Sequence, residues 1–308
     1  MKILVTGGAG FIASHIADAL IEQGHHVVIV DNMSAGKPSN INKKARFYQE
    51  DIRSRAISEI FAEEKFDAVD HHAAQIDVRK SVNDPGRDAD INILGSLNLL
   101  ENCVKHGVHK FVFASSGGTV YGENPRLPAT EDDATVPLSP YGISKLTMEK
   151  YLYYYHSTYG INYSILRYGN VYGPRQDPHG EAGVIAIFIL KILGGQAPVI
   201  FGDGSQLRDY VYVQDVVKAN LLSLDLPLNT YCNVGTGVGT SVNELFSIIR
   251  ELTGFGHGAE YTEARKGELM RNYLDYGRLN RLRGWKPEVN IKEGIAGTVE
   301  YFRNRNNK

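Results

Sequence analysis

Short apolar runs alternate with longer amphipathic stretches from the start of the chain. Lys2-Ile3-Leu4-Val5 is apolar and partly β-branched, the pattern of a buried strand. A glycine turn, Thr6 to Gly10, follows at once. From Ile12 to Gln23 the apolar residues fall on two neighbouring helical rows (Ile12, Ile16, Leu20 and Ala13, Ala17, Ile21), and Gly24 is a stop signal. Val27 to Val30 is a second strand, ending at Asp31. A polar loop (32–42), a strand at Ala45–Tyr48, a helix at Arg55–Glu64, a strand leading into Ala73-Ala74-Gln75, a long helix at Asp88–His106 and a strand at His109–Phe113 complete the first half. Strands alternating with helices, without tight hairpins, predict an α/β fold with a doubly wound parallel sheet of the Rossmann type. Ser139-Pro140 then opens a helix that runs to Tyr159, and Tyr163–Arg167 is the next strand. From Gly173 the chain has more glycine and shorter apolar runs, which predicts a smaller α/β lobe. It holds an apolar helix (Val184–Leu193), a strand and hairpin (Pro198–Ser205) and a helix from Gln214 to Leu224. Tyr231–Gly235 reads as a strand returning to the sheet, and Ser241 with Glu244 as a capping box. The expected division is 1–172 with the 214–240 region returning to it, and 173–308 as the second lobe.

Composition narrows the class. Of 308 residues, 43% are hydrophobic and 22% charged, ordinary for a soluble globular protein, and a net charge of -2 without a long basic block argues against nucleic acid. Cys103 and Cys232 match no metal-ligand spacing and read as buried thiols in a reducing compartment. No secretory signal is visible, and the most apolar run, Ala182–Leu193, is too short to span a bilayer and carries Lys191. The expectation is a cytoplasmic protein with no membrane partner. His71 and His72 are adjacent on a predicted strand, so they point to opposite faces, and with no third ligand no metal is expected.

The chemistry concentrates at strand ends. Gly7-x-x-Gly10-x-x-Ala13 between a strand and a helix brings backbone N–H groups close to a pyrophosphate, and Asp31 at the end of the next strand suits the ribose hydroxyls of NAD and repels the phosphate of NADP. The 32–42 loop can close over the adenine end, and Asp51 and Ile52 can reach adenine. Small residues at Ala73 and Ala74 let a cofactor backbone pass closely. Ser115, Ser116 and Thr119 place hydroxyls at the mouth of a site. Tyr141 and Lys145 share a helical face one turn apart, and an ammonium beside a phenol is expected to lower its pKa from ~10 towards neutrality.

Thr6-Gly-Gly-Ala-Gly-Phe-Ile12, Asp31-Asn-Met-Ser34, Ser115-Ser116, Tyr141-x-x-x-Lys145 and Leu166-Arg-Tyr-Gly-Asn-Val-Tyr-Gly-Pro174 together resemble the extended short-chain dehydrogenases/reductases, and more narrowly the UDP-glucose (UDP-galactose) 4-epimerases. The likeness spans essentially the whole chain. It implies NAD-dependent 4-epimerisation of a UDP-hexose, the N-acetyl forms included, through a transient 4-keto sugar. The implied catalytic set is Ser116, Tyr141 and Lys145, with Ser115 as the rival hydroxyl. The implied NAD contacts are Gly7, Gly10, Phe11 and Ile12 at the turn, and Asp31, Asn32, Ser34 and Gly36 in the following loop. Asp51, Ile52, Ala73, Ala74, Gln75 and Asn92 line the same side, with Ser115, Tyr141, Lys145 and Tyr168 towards the nicotinamide. The UDP-sugar would meet Ser116, Tyr141 and Asn170, Val184 at a helix start, Phe201 near uracil, Arg208 and Arg265 on the diphosphate, Glu268 on the ribose and Asn272 near the sugar. The resemblance further implies a homodimer formed through the 88–106 helix and the Tyr141 helix. Ala13 stands for the family's third glycine and is small enough to serve. Asp70 and His72 replace residues that are usually Phe and Leu. Gly117, Gly118 and Thr119 occupy the stretch where dehydratases carry an Asp-Glu pair and decarboxylases a Glu, which argues against elimination chemistry. The alternatives are a UDP-glucuronate 4-epimerase or another nucleotide-sugar enzyme of this superfamily, a net dehydrogenase, and a non-catalytic NAD-binding regulatory scaffold.

Overall fold

A computed structural model describes residues 1–123, 126–178, 183–227, 229–264 and 269–306. The first lobe runs β1 (Lys2–Thr6), α1 (Phe11–Glu22), β2 (His26–Asp31), β3 (Arg46–Gln49), α2 (Ala56–Glu64), β4 (Ala68–His71), α3 (Val78–Asn83), α4 (Pro85–Ala89), α5 (Gly95–His106), β5 (Lys110–Ser116), α6 (Gly117–Val120), α7 (Pro140–Tyr159) and β6 (Asn162–Tyr168). Then come β7 (Asn170–Tyr172), α8 (Val184–Leu193), β8 (Val199–Phe201), β9 (Leu207–Arg208), β10 (Tyr210–Tyr212), α9 (Val213–Ser223) and β11 (Thr230–Val234). The chain closes with β12 (Thr240–Ser241), α10 (Val242–Thr253), β13 (Glu260–Thr262), β14 (Arg271–Asn272), α11 (Gly277–Arg283) and α12 (Ile291–Asn306).

Seven strands form one parallel sheet in the order β3-β2-β1-β4-β5-β6-β11. Side chains alternate across it. Leu4, Val28, Val69, Phe111 and Phe113 pack against Phe61, Leu99, Cys103, Met148 and Leu152 of α2, α5 and α7. Ile3, Val5, Val27, Ile29 and Ala68 face Ala13, Ile16, Ala17 and Leu20 of α1 and Val217 of α9. Burial on both faces is why these strands read as unbroken apolar runs rather than alternating ones. All the strand C-termini therefore open on one edge, where ligands bind in such sheets.

The second lobe is helical, with three small sheets. Phe188 and Ile189 of α8, Leu245 and Ile249 of α10 and Ile295 and Val299 of α12 share a core with Tyr172 and Tyr210. The expected hairpin at 198–205 is not formed: β8 pairs in parallel with β13, whereas β9 lies between β12 and β14. Two- and three-residue strands carry no periodicity from which to choose a partner. The Asp88–His106 helix starts earlier, at Pro85, and contains a π-helical turn at Asp90–Leu94. The capping box at Ser241 and Glu244 forms as expected. Asp209, between β9 and β10, ties the lobes together. Its buried carboxylate accepts hydrogen bonds from Thr236 N and Oγ1 (both 2.7 Å), Leu274 N (3.0 Å) and Gly237 N (3.2 Å). Among the described residues no helix is long and apolar enough to cross a membrane.

Candidate active site

The glycine turn sits where β1 hands over to α1. Gly7 has φ +70°, and a Cβ there would lie 2.8 Å from Ala73 N, so only glycine lets the turn rest on the end of β4. The first turn of α1 has no acidic residue and no side-chain cap, which leaves its N–H groups at Phe11 and Ile12 available to an anion. Asp31 locks the turn from below by accepting from Ala9 N at 3.0 Å and Met33 N at 2.8 Å. The following loop folds back over the turn. Asn32 bridges Asp51 at 2.9 Å and accepts from Ser34 N at 3.0 Å, and Gly36 packs against Ala9 and Asp31. Asp51 is held well below the usual carboxylate range, chiefly by its hydrogen bond from Arg53. The tight turn, the open helix start and the acid at the β2 end fit a dinucleotide.

The two histidines part as expected, and each finds protein partners. On one face His71 bridges Thr6 Oγ1 (2.7 Å) and Ser96 Oγ (2.8 Å). Ser96 donates to Asn92 O at 2.7 Å, so His71 Nε2 must be the donor to Ser96, and Nδ1 accepts from Thr6. Thr6 Oγ1 in turn accepts from His72 N and Ala73 N. Burial lowers the His71 pKa well below its ordinary value, which keeps the imidazole neutral. On the other face His72 Nε2 meets Asp70 Oδ1 at 2.9 Å, with Asn220 of α9 closing the cluster and Tyr168 stacked on the His72 ring. The two unusual polar residues at the end of β4 are thus one contact, with Asp70 Oδ2 left buried without a hydrogen-bond partner. No group of three metal-ligating side chains occurs among the described residues.

The catalytic candidates meet at the ends of β5 and α7. Ser139 caps α7 by accepting from Gly142 N at 3.1 Å, with Pro140 in the first turn. Tyr141 and Lys145 project from one face, the Lys145 Nζ 5.7 Å from the Tyr141 ring centroid. Lys145 is buried and donates to Ala114 O at 2.9 Å. The Ser116 hydroxyl lies close enough to the Tyr141 phenol to oppose the rise in its pKa. Burial lowers Lys145 to a pKa of about 8, with Asp88 opposing the fall. The expected drop at Tyr141 is corrected: burial pushes the phenol up, Asp88 adds to the rise, and only the nearby Ser116 hydroxyl pulls the other way. The two serines have different surroundings. Ser115 is buried and donates to Glu149 Oε1 at 2.6 Å, so its side chain is turned from the site. A Cβ on Gly118 would lie 3.7 Å from Ser116 Oγ and 3.6 Å from Asn170 Oδ1, which brings those two groups to one mouth.

Three other candidates also have their side chains committed elsewhere. Asn92 holds the Gln75 backbone, accepting from Gln75 N at 2.8 Å and donating to Gln75 O at 2.9 Å. Tyr168 is buried in the His72 cluster, and Ile52 is core, packed where a Cβ on Gly95 would fall. Ala73, Ala74 and Gln75 are half-buried at the β4 end. From the second lobe, β14 sets Asn272 in register with Arg208 of β9. Asn272 is buried and its Nδ2 donates to Gly117 O at 3.2 Å, so this ribbon abuts the residue after Ser116. Phe201 and Val184 are half-buried on β8 and at the start of α8. Arg265 and Glu268 lie outside the described residues.

With this geometry in place, comparison with known proteins is decisive. Residues 3–235 match the NAD dependent epimerase/dehydratase family. The chain belongs to that family. It is 54% identical over 304 residues to a putative UDP-glucose 4-epimerase of Methanocaldococcus jannaschii, covering 99% of each chain. It superposes on the Thermotoga maritima UDP-glucose 4-epimerase solved with UDP-glucose with a TM-score of 0.97, at 50% identity and 99% of both chains. The Thermus thermophilus UDP-glucose 4-epimerase in complex with NAD gives a TM-score of 0.94, 44% identity, and 98% and 99% coverage. NAD is the cofactor of this epimerase family. The supports under the site were not anticipated from sequence. Arg167 and Glu149 form a buried bidentate pair (3.0 and 2.6 Å) beneath Ser115, and Arg167 also donates to Tyr121. A charge within the apolar run of β6, and an acid one helical turn past Lys145, are the signals that would have found them.

Proposed function

We propose that this family member interconverts the C4 epimers of a UDP-hexose, with UDP-glucose and UDP-galactose as the principal pair. The observation that carries the reading is the Tyr141–Lys145 pair, with the buried Lys145 ammonium 5.7 Å from the Tyr141 ring and bonded to Ala114 O, beside Ser116 at the carboxyl edge of a dinucleotide-binding sheet. Tyr141 removes the proton from the sugar 4-hydroxyl, and Ser116 donates to the oxygen that becomes a keto group. Lys145 supplies the positive charge that lets a buried phenol give up its proton. NAD, when held by the glycine turn and Asp31, supplies the hydride acceptor and donor. Arg208 clamps the diphosphate, and the 4-keto sugar turns between removal and return of hydrogen, so no net oxidation results.

Neighbouring residues narrow the sugar. Gly117 and Gly118 put no acid beside Ser116, so elimination has no driver. Arg175, the arginine just ahead of the 177–183 stretch where a C6 carboxylate would want one, is paired with Asp18 at 2.7 Å and donates to Ser14. A neutral C6 is therefore favoured over a uronate. Asn272 is smaller than a tyrosine, which extends the proposal to 2-acetamido sugars. Intact Ser116, Tyr141 and Lys145 argue against a pure scaffold. Exposed Leu94 and Val104 with Tyr151, Tyr153 and Tyr154 on the α5–α7 side support a homodimer, and the two free buried cysteines a reducing, cytoplasmic setting. The test is incubation of purified protein, without added cofactor, with UDP-galactose, UDP-N-acetylgalactosamine and UDP-glucuronate in separate tubes. Conversion of the first is expected, and failure to convert any of them overturns the reading.

A further inference from the structure

A buried carboxylate outside the Ser116–Tyr141–Lys145 set connects the cofactor side of the site to the catalytic helix. Asp88 lies on α4 and is fully buried. Its Oδ2 accepts from Ser144 Oγ at 2.6 Å, and Ser144 directly precedes Lys145. Its Oδ1 accepts from Asn92 Nδ2 at 3.0 Å and from Gln75 Nε2 at 3.2 Å. Gln75 is itself locked, with its backbone held by Asn92 and its amide bonded to Asp77 O and Asp77 N. The π-helical turn at Asp90–Leu94 contributes Asn92 to this network. A second fastening lies next to it: Ser81 of α3 accepts from Tyr141 N at 3.2 Å. Three donors thus converge on one buried carboxylate.

We propose that Asp88 is a positioning residue for the epimerisation. It clamps the first turns of α7, which carry Tyr141 and Lys145, to the Gln75–Asp77 turn of the cofactor site, and its negative charge sets the field in which the pair works. The inference rests on the proposed role of Tyr141 as base. The charge acts in both directions: it steadies the Lys145 ammonium and resists a phenolate at Tyr141. The other ionisable groups around the carboxylate are accounted for. On α7 these are Tyr141 and Lys145. Asp77 of the turn caps α3 and lies beside Arg79 and Lys80, and Asp90 of the π-helical turn is bridged to Arg53. His71 on β4 is neutral. Arg87 on α4 is exposed.

The test uses the NAD-loaded protein and two readouts. The first needs no substrate: tyrosinate absorbance is followed against pH, and subtraction of the Tyr141→Phe trace isolates Tyr141 from the other tyrosines. The second is the pH profile of kcat. Asp88→Asn keeps the shape and one oxygen to accept from Asn92 and Gln75, turns the Ser144 hydroxyl from donor to acceptor of the new amide N–H, and removes the charge. It is expected to move the Tyr141 midpoint down by on the order of one pH unit, the effect of a nearby charge at an effective permittivity near 20. Both limbs of the kcat profile should move the same way. Ser144→Ala keeps the charge and removes the clamp, so kcat should fall about tenfold with a midpoint that is unmoved or raised. An unmoved or raised midpoint in Asp88→Asn, or a lowered one in Ser144→Ala, overturns the proposal, and the second arm decides if Asp88→Asn does not fold. Absence of turnover in the wild type would count against the epimerase reading alone, because the absorbance titration is still read.

Discussion

In the sheet lobe, several polar side chains around Tyr141 and Lys145 are buried and partnered. His71 is fixed between Thr6 and Ser96, Ser115 by the Glu149–Arg167 pair, and Asp88 by three donors. In the second lobe the candidate substrate residues sit on strands of two or three residues, half-buried at Phe201 and Arg208, and they reach the first lobe through the Asn272–Gly117 contact. The difference follows from the two tasks. Proton and hydride transfer need atoms held to fractions of an ångström, so the site is built on a rigid sheet with a second layer of hydrogen bonds beneath it. Recognition of a diphosphate and a sugar tolerates looser mounting, since long arginines can reach. Substitutions in the first lobe should therefore damage chemistry or folding, and those in the second should damage affinity.

The largest effect is expected at Tyr141. Tyr141→Phe removes the proposed base and should lower turnover by roughly 10^3-fold or more, while NAD stays bound, as read by cofactor absorbance after gel filtration. Near-normal turnover would remove Tyr141 from the mechanism. Arg167→Met should destabilise the fold by about 3–5 kcal/mol in urea unfolding, because it strands a buried Glu149 carboxylate. Addition of Glu149→Met should recover most of that loss, and an equally unstable double variant would contradict the pairing account. Lys145→Met separates stability from activity. Lys145 has a folded pKa lowered to about 8 from an ordinary value of 10.5, so its burial as a cation weakens the native state at every pH below 8, and this penalty fades as pH rises towards 10.5. The variant should be inactive yet more stable at pH 7 by on the order of 2 kcal/mol, less what is lost at Ala114 O, and this gain should shrink above pH 9. The smallest effect belongs to the second lobe: Arg208→Lys should raise KM for the UDP-sugar about tenfold, with stability changed by less than ~0.5 kcal/mol. A stability loss like that of Arg167→Met would erase the contrast between the lobes.

Much of the first lobe was readable in sequence because its strands are buried on both faces and its turns need particular residues. Lys2–Val5, the glycine turn, Asp31 and the Tyr141–Lys145 spacing each carry a local physical signature. Residues that act through distant partners were not readable. The rise at Tyr141 comes from burial, which spacing along a helix does not encode. The partner of β8 could not be told from three residues, and the π-helical turn at Asp90–Leu94 leaves no mark in an otherwise helical pattern. The serine choice was closer to hand: on β5, Ser115 shares a face with Phe111 and Phe113, which both point into the core against α7. Asp70 and His72 looked like unexplained departures and turned out to be one contact.

The most direct test of the account is the fate of hydrogen at C4. UDP-galactose deuterated at C4 is incubated with the purified protein in ordinary water, with unlabelled NAD added in excess. The account predicts that deuterium stays at C4 in both epimers, with none in the added cofactor, because the hydrogen removed at the Tyr141 site returns to the same sugar. Deuterium lost to water would mean proton abstraction at carbon rather than oxidation. Deuterium in the added cofactor would mean an exchanging oxidoreductase, and either result would contradict the proposed epimerisation.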